Sequence, residues 1–420
     1  TNSMIKPVKI GALVIASALA LAACGSSSSS SGSSSSGKTL TVSSDLPLQG
    51  ADADQEASSN NMIKLLLEQA GNKAGDYTIE FKQYDNSTAA KGGWDDAACA
   101  KNAQDHVSNA SEVAVMGTHN SGCAKIIVPV LNQDPTGPML MISGANTNPG
   151  LTKTWDAGEP DKYYPTGTRN YGRVIVADDL QGVAAAQYLS EKLGAKKCAV
   201  LDDKVTYGQG VAKATADAMP KSNIEVVLKD SWDPKQTTYK ALFQKIKTAG
   251  ADCVFFAGDY GSNGGQVVKD AESVLGTPDK FIYMADSGFS GYADFLKLKE
   301  SEGFWITFSG LSQNGIIAKS ATAKKIFADY KTKYGKDPVG SWALQETAAM
   351  QLILAAIAAS DGTRADIVKK AFSVSVPEDQ SVMGTKLALD ANGDITTKVM
   401  TMIQVKSGVE TDIDYWTIHD

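Results

Sequence analysis

From residue 38 onward, short runs of β-branched and aromatic residues alternate with amphipathic stretches of helical period, and this alternation occurs twice. Nothing else in the chain restricts its fold as strongly. Residues 40–42 read as a strand and 61–70 as a helix, with Met62, Ile63, Leu66, Leu67 and Ala70 on one face. Residues 77–84 alternate like a strand; 98–107 read as helix, 113–116 as strand, 125–133 as helix and 138–142 as strand. Parallel strands need crossovers, so such a repeat predicts an α/β fold with a parallel sheet covered by helices on both faces. A second series runs through helices 181–193, 208–218, 239–248 and 265–275 and strands 198–201, 224–228, 253–257, 280–284 and 304–308. Residues 155–173, rich in Gly, Pro and Tyr and without period, separate the two series. Helices at 322–334 and 341–359 follow, and the chain ends in a hairpin-like stretch, 386–405, turning at 390–394.

The amino-terminal segment bears on location. Lys6 and Lys9 precede an uncharged apolar run, 10–21, and Leu21-Ala22-Ala23 leads to a lone Cys24. This is the pattern of a secretory signal over 1–23 with lipidation at Cys24; Thr1-Asn2-Ser3, ahead of Met4, are set aside as an expression remnant. Twelve apolar residues are too few to span a hydrocarbon core, which needs about 20. Residues 25–37 are Gly and Ser and read as a tether. Without Lys6 and Lys9 the balance is 38 basic to 47 acidic residues, a net of −9, which argues against a nucleic-acid partner.

Four further cysteines, Cys99, Cys123, Cys198 and Cys253, suggest disulfides in an exported chain, with three possible pairings. No CxxC occurs, and His106, His119 and His419 are scattered, so no metal site is expected. Asp390, Asn392 and Asp394 alternate as in a calcium loop, but no distant glutamate follows, and Asn-Gly between alternating runs reads as a turn. The chain lacks GxSxG, a P-loop and a dinucleotide fingerprint. His119 lacks a clear nucleophile or acidic orienter and reads as a polar contact. Loops 117–122 and 144–149 each follow a strand and offer backbone N–H groups beside Ser121 and Thr147. Such loops lie where open α/β sheets bind ligands and suit a carboxylate, although both hydroxyls equally suit helix caps.

The segment MISGANTNPGLT at 141–152 resembles periplasmic branched-chain amino-acid-binding proteins, the type I solute-binding family of ABC importers. PLQG at 47–50, QGVAAAQYL at 181–189, LDDKVTYGQG at 201–210 and VFFAGDYG at 254–261 agree with that family in order. The resemblance implies two doubly wound parallel-sheet lobes, 38–165 with 312–375 and 166–311 with 376–420, joined by three crossovers and closing on a ligand. It carries the grip on a ligand's carboxylate and ammonium to Ser121, Ala145, Asn146 and Thr147, an aromatic contact to Tyr207, and a pocket wall to Trp342. The acid that faces the ammonium falls on Asp286 or is lost at Ser287. Asp259, followed by Tyr260, stands where the family has an aromatic, and Asp52, Asp54 and Gln55 replace another. These departures make the pocket more acidic and predict a zwitterion or cation, not an anion, with Asp286 and Asp259 facing the positive group.

The function implied is a lipid-anchored extracytoplasmic solute-binding protein that hands an amino acid or related amine or amide to an ABC permease. It would act as a monomer, without catalysis, cofactor or metal. The alternatives are an extracellular sensor or ligand-presenting domain without transport, and a secreted hydrolase. The family also places a disulfide near Cys99, and the helix–strand unit between them can bring Cys99 and Cys123 together. Cys198 and Cys253 each open a strand, and in a 2-1-3-4-5 order those strands are neighbours; the alternative for them is two buried thiols.

Overall fold

The computed structural model describes residues 37–420; the leader, Cys24 and the Gly/Ser tract through residue 36 lie outside them. The first sheet runs Lys73–Ala74, Tyr77–Asp85, Thr39–Leu46, Glu112–Gly117, Leu140–Ser143, Tyr171–Arg173. Only its Lys73–Ala74 edge is antiparallel. The second sheet runs Glu225–Ser231, Lys197–Asp202, Cys253–Ala257, Ile282–Ala285, Trp305–Phe308, Val399–Lys406, Val409–Thr417. Its first five strands are parallel, and the last two close it as an antiparallel hairpin. In both sheets the five parallel strands take the order 2-1-3-4-5, the doubly wound arrangement in which strands 1 and 3 mark the topological switch point.

The chain passes between the sheets three times: after Arg173, after Phe308 and before Val399. The first sheet includes Tyr171–Arg173, which lies beyond the division expected after 165. Part of 376–420 also keeps to the first sheet, since Arg173 N–H donates to the Gly393 carbonyl and Leu389 packs against Gly172. The expected hairpin at 386–405 reduces to a single bridge, Leu389 to Ile395; the long hairpin is Val399–Lys406 with Val409–Thr417. That last strand is the less legible of the two, because its alternation sets Glu410, Asp412 and Asp414 on one face and leaves Val409, Ile413 and Tyr415 exposed on the other.

Helix Ala53–Gln69 begins well before the expected residue 61. Gln55, Glu56, Ser58, Ser59 and Asn60 are all buried in its first half, so polar side chains occupy positions where a periodicity argument looks for apolar ones. Helix Ala343–Ala358 packs against it and against strands Glu112–Gly117 and Leu140–Ser143. In the second lobe Phe256 meets the rings of Trp232, Phe243, Tyr283, Phe289 and Phe304. Phe289 belongs to the turn that follows strand Ile282–Ala285, so this cluster fixes the loop that reaches the site.

Both expected disulfides are formed. Cys99 on helix Asp96–Ser108 joins Cys123 on helix Ser121–Asn132, with Cα atoms 5.7 Å apart. Cys198 and Cys253 stand directly opposite each other on adjacent parallel strands, Cα atoms 4.4 Å apart, and are joined. Among the described residues no helix is long and apolar enough to cross a membrane.

Candidate functional site

Five loops, each leaving the carboxyl end of a parallel strand, meet in a cleft between the two sheets. His119, Asn120 and Ser121 follow strand Glu112–Gly117, and Ala145 follows Leu140–Ser143. Tyr207 follows Lys197–Asp202, Asp259 follows Cys253–Ala257, and Gly288 and Tyr292 follow Ile282–Ala285. Trp342, at the start of helix Ala343–Ala358, completes the wall around an empty volume of about 380 Å³. A roomier groove, about 1110 Å³, lies on the outer face beside helices Asp178–Glu191 and Thr206–Ala218. It lies away from these strand ends and shares no residue with the cleft, so the smaller cleft is the better site by topology.

The cleft's chemistry is polar on both sides. Asn120 is the N-cap of helix Ser121–Asn132 but its side chain caps nothing, so the first-turn N–H groups lack a side-chain partner there. Its Oδ1 is buried without a hydrogen-bond partner, as is the Tyr207 hydroxyl from the opposite lobe. An uncapped helix start suits a carboxylate. Gly122 is required here: a Cβ would lie 2.5 Å from the Trp94 ring, and Thr206 of the second lobe is 3.5 Å away.

Two acidic groupings flank the cleft. Tyr292 Oη lies 2.7 Å from Asp52 Oδ1 and 2.8 Å from Asp259 Oδ1, so it links the first lobe to the second. Burial, and then the Asp52 carboxylate, push Asp259 up to about 8. In the first lobe, His119 Nδ1 lies 2.7 Å from Glu56 Oε1 and 2.8 Å from Glu346 Oε1. Burial opposes a charge on His119, but the two glutamates raise it well above its ordinary value. Burial and Glu346 likewise raise Glu56. Trp342 meets the imidazole edge-on at 5.6 Å. Gly144 lies against the backbone of Glu346, where a Cβ would come within 2.5 Å of its Cα, so loop and helix fix each other.

Of the residues expected at the site, Ser121, Ala145, Tyr207, Asp259 and Trp342 line the cleft, and five do not. Asp286 is buried with Oδ1 accepting from Gly288 N–H and Oδ2 from Gly258 N–H, both at 2.7 Å. It ties two cleft loops together instead of facing a ligand. Ser287 donates to Gln181 Oε1 and accepts from Ser309 N–H. Asn146 donates to the carbonyls of Thr118 and His119 and accepts from Tyr171 Oη, so its side chain braces the loop. The N–H groups of Ala145 and Asn146 both donate to Ser143 Oγ, which removes two expected donors. Thr147 is buried behind the loop, its carbonyl accepting from Asp178 N–H, and Tyr260 packs on Phe289, Tyr292 and Phe295.

His119, Asn120, Gly288 and Tyr292 join the cleft without having been singled out as ligand contacts, and Glu56 and Glu346 lie against His119. One signal for Glu346 is present in the sequence, the single charged residue of a mostly apolar helix, which stays buried only if something pairs with it. Glu56 carries no such signal, and Tyr292 sits in a stretch without period.

Residues 41–410 match the family described as periplasmic binding protein. A Leu/Ile/Val-binding protein of Citrobacter freundii is 29% identical over 267 residues, covering 61% of this chain and 63% of that protein. The match thus spans a little under two thirds of that relative's length. A leucine-binding protein from Thermotoga maritima has the same fold, with a TM-score of 0.75 at 19% identity over 90% of this chain and 98% of that one. A solute-binding protein from Rhodopseudomonas palustris HaA2 in complex with p-hydroxybenzoic acid gives 0.73 at 17% identity, over 91% and 98%.

Proposed function

The chain belongs to the periplasmic binding protein family, and on that premise we propose that it captures a small amino acid or related amine between its lobes. The observation that carries this reading is the cleft itself, where unpaired polar atoms from both lobes converge at the carboxyl ends of two parallel sheets. A ligand carboxylate would take the start of helix Ser121–Asn132, beside Ser121 and Asn120. Its ammonium would face Asp259, which takes over the role expected of Asp286. Trp342 and Tyr207 would form the apolar walls, and Ala145 the floor between them. Among the described residues no Lys or Arg lines the cleft, and the charge on His119 is offset by Glu56 and Glu346, which favours a zwitterion or a cation over an anion.

The same reading makes the protein an extracytoplasmic lipoprotein, processed before Cys24 and tethered by residues 25–37, which delivers its solute as a monomer to an ABC permease. The leader pattern supports the anchor, and the family supports the permease. The lobes would divide as the resemblance implies, with the first boundary moved past Arg173.

Calorimetry and thermal shift against a panel of amino acids and amines test the reading. A ligand at 100 times its dissociation constant adds about 2.7 kcal/mol of stability. Asp259→Asn is expected to weaken the best ligand by more than tenfold, because an ammonium held in the closed cleft loses its counter-charge. Tight binding of a dianion, or wild-type affinity in Asp259→Asn, would overturn it.

A further inference from the structure

Three side chains from three elements converge on one point in the first lobe. Glu56 comes from helix Ala53–Gln69, His119 from the loop after strand Glu112–Gly117, and Glu346 from helix Ala343–Ala358. One ligand atom of each lies within 4.8 Å of the others. Glu56 is fully buried, and neither of its oxygens has a hydrogen-bond partner of acceptable geometry; Glu346 Oε2 has none either. His119 Nδ1 carries at most one hydrogen, which already serves Glu346 at 2.8 Å. The Glu56 oxygen at 2.7 Å is therefore left facing the same nitrogen without a donor. Once a metal displaces their protons, the two carboxylates and the imidazole carry two negative charges, the complement of a divalent cation. One imidazole nitrogen with two carboxylate oxygens is a donor set that suits zinc and its first-row neighbours.

We propose that Glu56, His119 and Glu346 form a binding site for a divalent transition-metal ion, of which zinc is the representative, at the edge of the solute cleft. Bonds of about 2.0–2.2 Å in a tetrahedron set ligand atoms roughly 3.4 Å apart. The present 2.7 and 2.8 Å separations would open by roughly 0.6–0.7 Å, within reach of small side-chain rotations. The loop that carries the imidazole is already braced. Asn146 Nδ2 donates to the His119 carbonyl, Thr118 Oγ1 donates to the Asn120 carbonyl, and Trp342 meets the ring edge-on. All three ligands belong to the first lobe, so the site is complete before the lobes close. A site with three protein ligands keeps a position open. His119 lines the cleft, so a solute amino or carboxylate group bound beside it would complete the coordination sphere. This last step rests on the cleft being the solute site; the metal site does not.

The competing account is a shared proton: Glu56 stays protonated, bonds within the triad, and no metal enters. Titration of the full chain separates the two, using a Cys24→Ser background so that a free thiol does not compete, no added histidines, and prior treatment with chelator. Zinc chloride is added in a calorimeter at pH 7.5, and cobalt(II) is followed by visible absorption. One equivalent of each is expected, cobalt giving the intense bands of a four-coordinate site, with zinc binding weakened more than 100-fold in both Glu56→Gln and His119→Ala. Glu56→Gln preserves shape and side-chain volume, and circular dichroism reports whether each variant is folded. Absence of a stoichiometric equivalent in the parent chain overturns the proposal, as does parent-strength binding in a folded Glu56→Gln variant. The amino-acid panel is run separately on the chelator-treated protein, so failure of the metal site and failure of the solute reading are distinguishable.

Discussion

His106 is fully buried, and its ring is held between two buried acids. Nε2 lies 2.7 Å from Asp45 Oδ2 and Nδ1 lies 2.5 Å from Glu112 Oε2, with all three side chains fully buried. Burial opposes the charge, but the hydrogen bonds and charges of Asp45 and Glu112 outweigh it and raise His106 to about 9. Asn86 and Asn102 donate to Asp45 Oδ1, which completes its shell. Removing the cation leaves two buried carboxylates facing each other, so His106→Gln is expected to cost about 3–5 kcal/mol, the range for breaking a buried ion pair. The sign of the pH effect follows from the raised value. The charged histidine's contribution is complete below about 6.5 and is lost as pH rises through 9. Urea unfolding of the parent chain is therefore expected to give a lower midpoint at pH 9 than at pH 6.5, with a smaller difference in His106→Gln. Equal differences in the two proteins would show that His106 does not carry the proton.

At the scale of elements, the two disulfides differ in what they hold. Cys123 sits in the first turn of helix Ser121–Asn132, whose start forms the cleft wall. Cys198 and Cys253 stand near the amino ends of their strands, at the opposite end from the cleft. Chain-entropy arguments give about 3–4 kcal/mol for a loop closed by either. Both double serine variants are therefore expected to lose stability, but only Cys99→Ser/Cys123→Ser to lose solute affinity as well. Denaturation paired with calorimetry checks this, and equal affinity losses in the two variants would refute it. The pairing of Cys198 with Cys253 is legible because the 2-1-3-4-5 order alone makes their strands neighbours. The role of Asp286 is not legible. A carboxylate after a strand looks the same in sequence whether it faces a ligand or accepts two backbone N–H groups. The start of helix Ala53–Gln69 is concealed for a related reason, since its polar first half is buried beside the cleft instead of exposed. Sequence periodicity reports burial against apolar neighbours, and the site is where that rule is suspended.

Across the whole molecule, the contact between Asp52 and Tyr292 carries a proton count. Tyr292 Oη lies within hydrogen-bonding distance of carboxylates on both lobes, yet a phenol has a single hydrogen to donate. One of the two contacts must use a proton held by a carboxyl group. Burial and the neighbouring Asp52 raise Asp259 to about 8, against the opposing hydrogen bonds of Tyr292 and Gly261 N–H, so Asp259 holds that proton near neutrality. The bridge between the lobes is then a protonated Asp259 donating to the phenol, which donates in turn to Asp52. A solute ammonium placed at Asp259 would take over the proton's role, so capture of an amino acid would release close to one proton per ligand between about pH 5 and 7. Release would fade as pH passes 8, where Asp259 is already ionised, and affinity would rise with pH up to that point. Calorimetry in two buffers of different ionisation enthalpy, with chelator present to keep metal out of the triad, counts the protons directly. Asp52→Asn removes the carboxylate that helps to raise Asp259 and is expected to release fewer. Proton-neutral binding by the parent chain at pH 6.5 would mean that Asp259 is not where the ammonium binds.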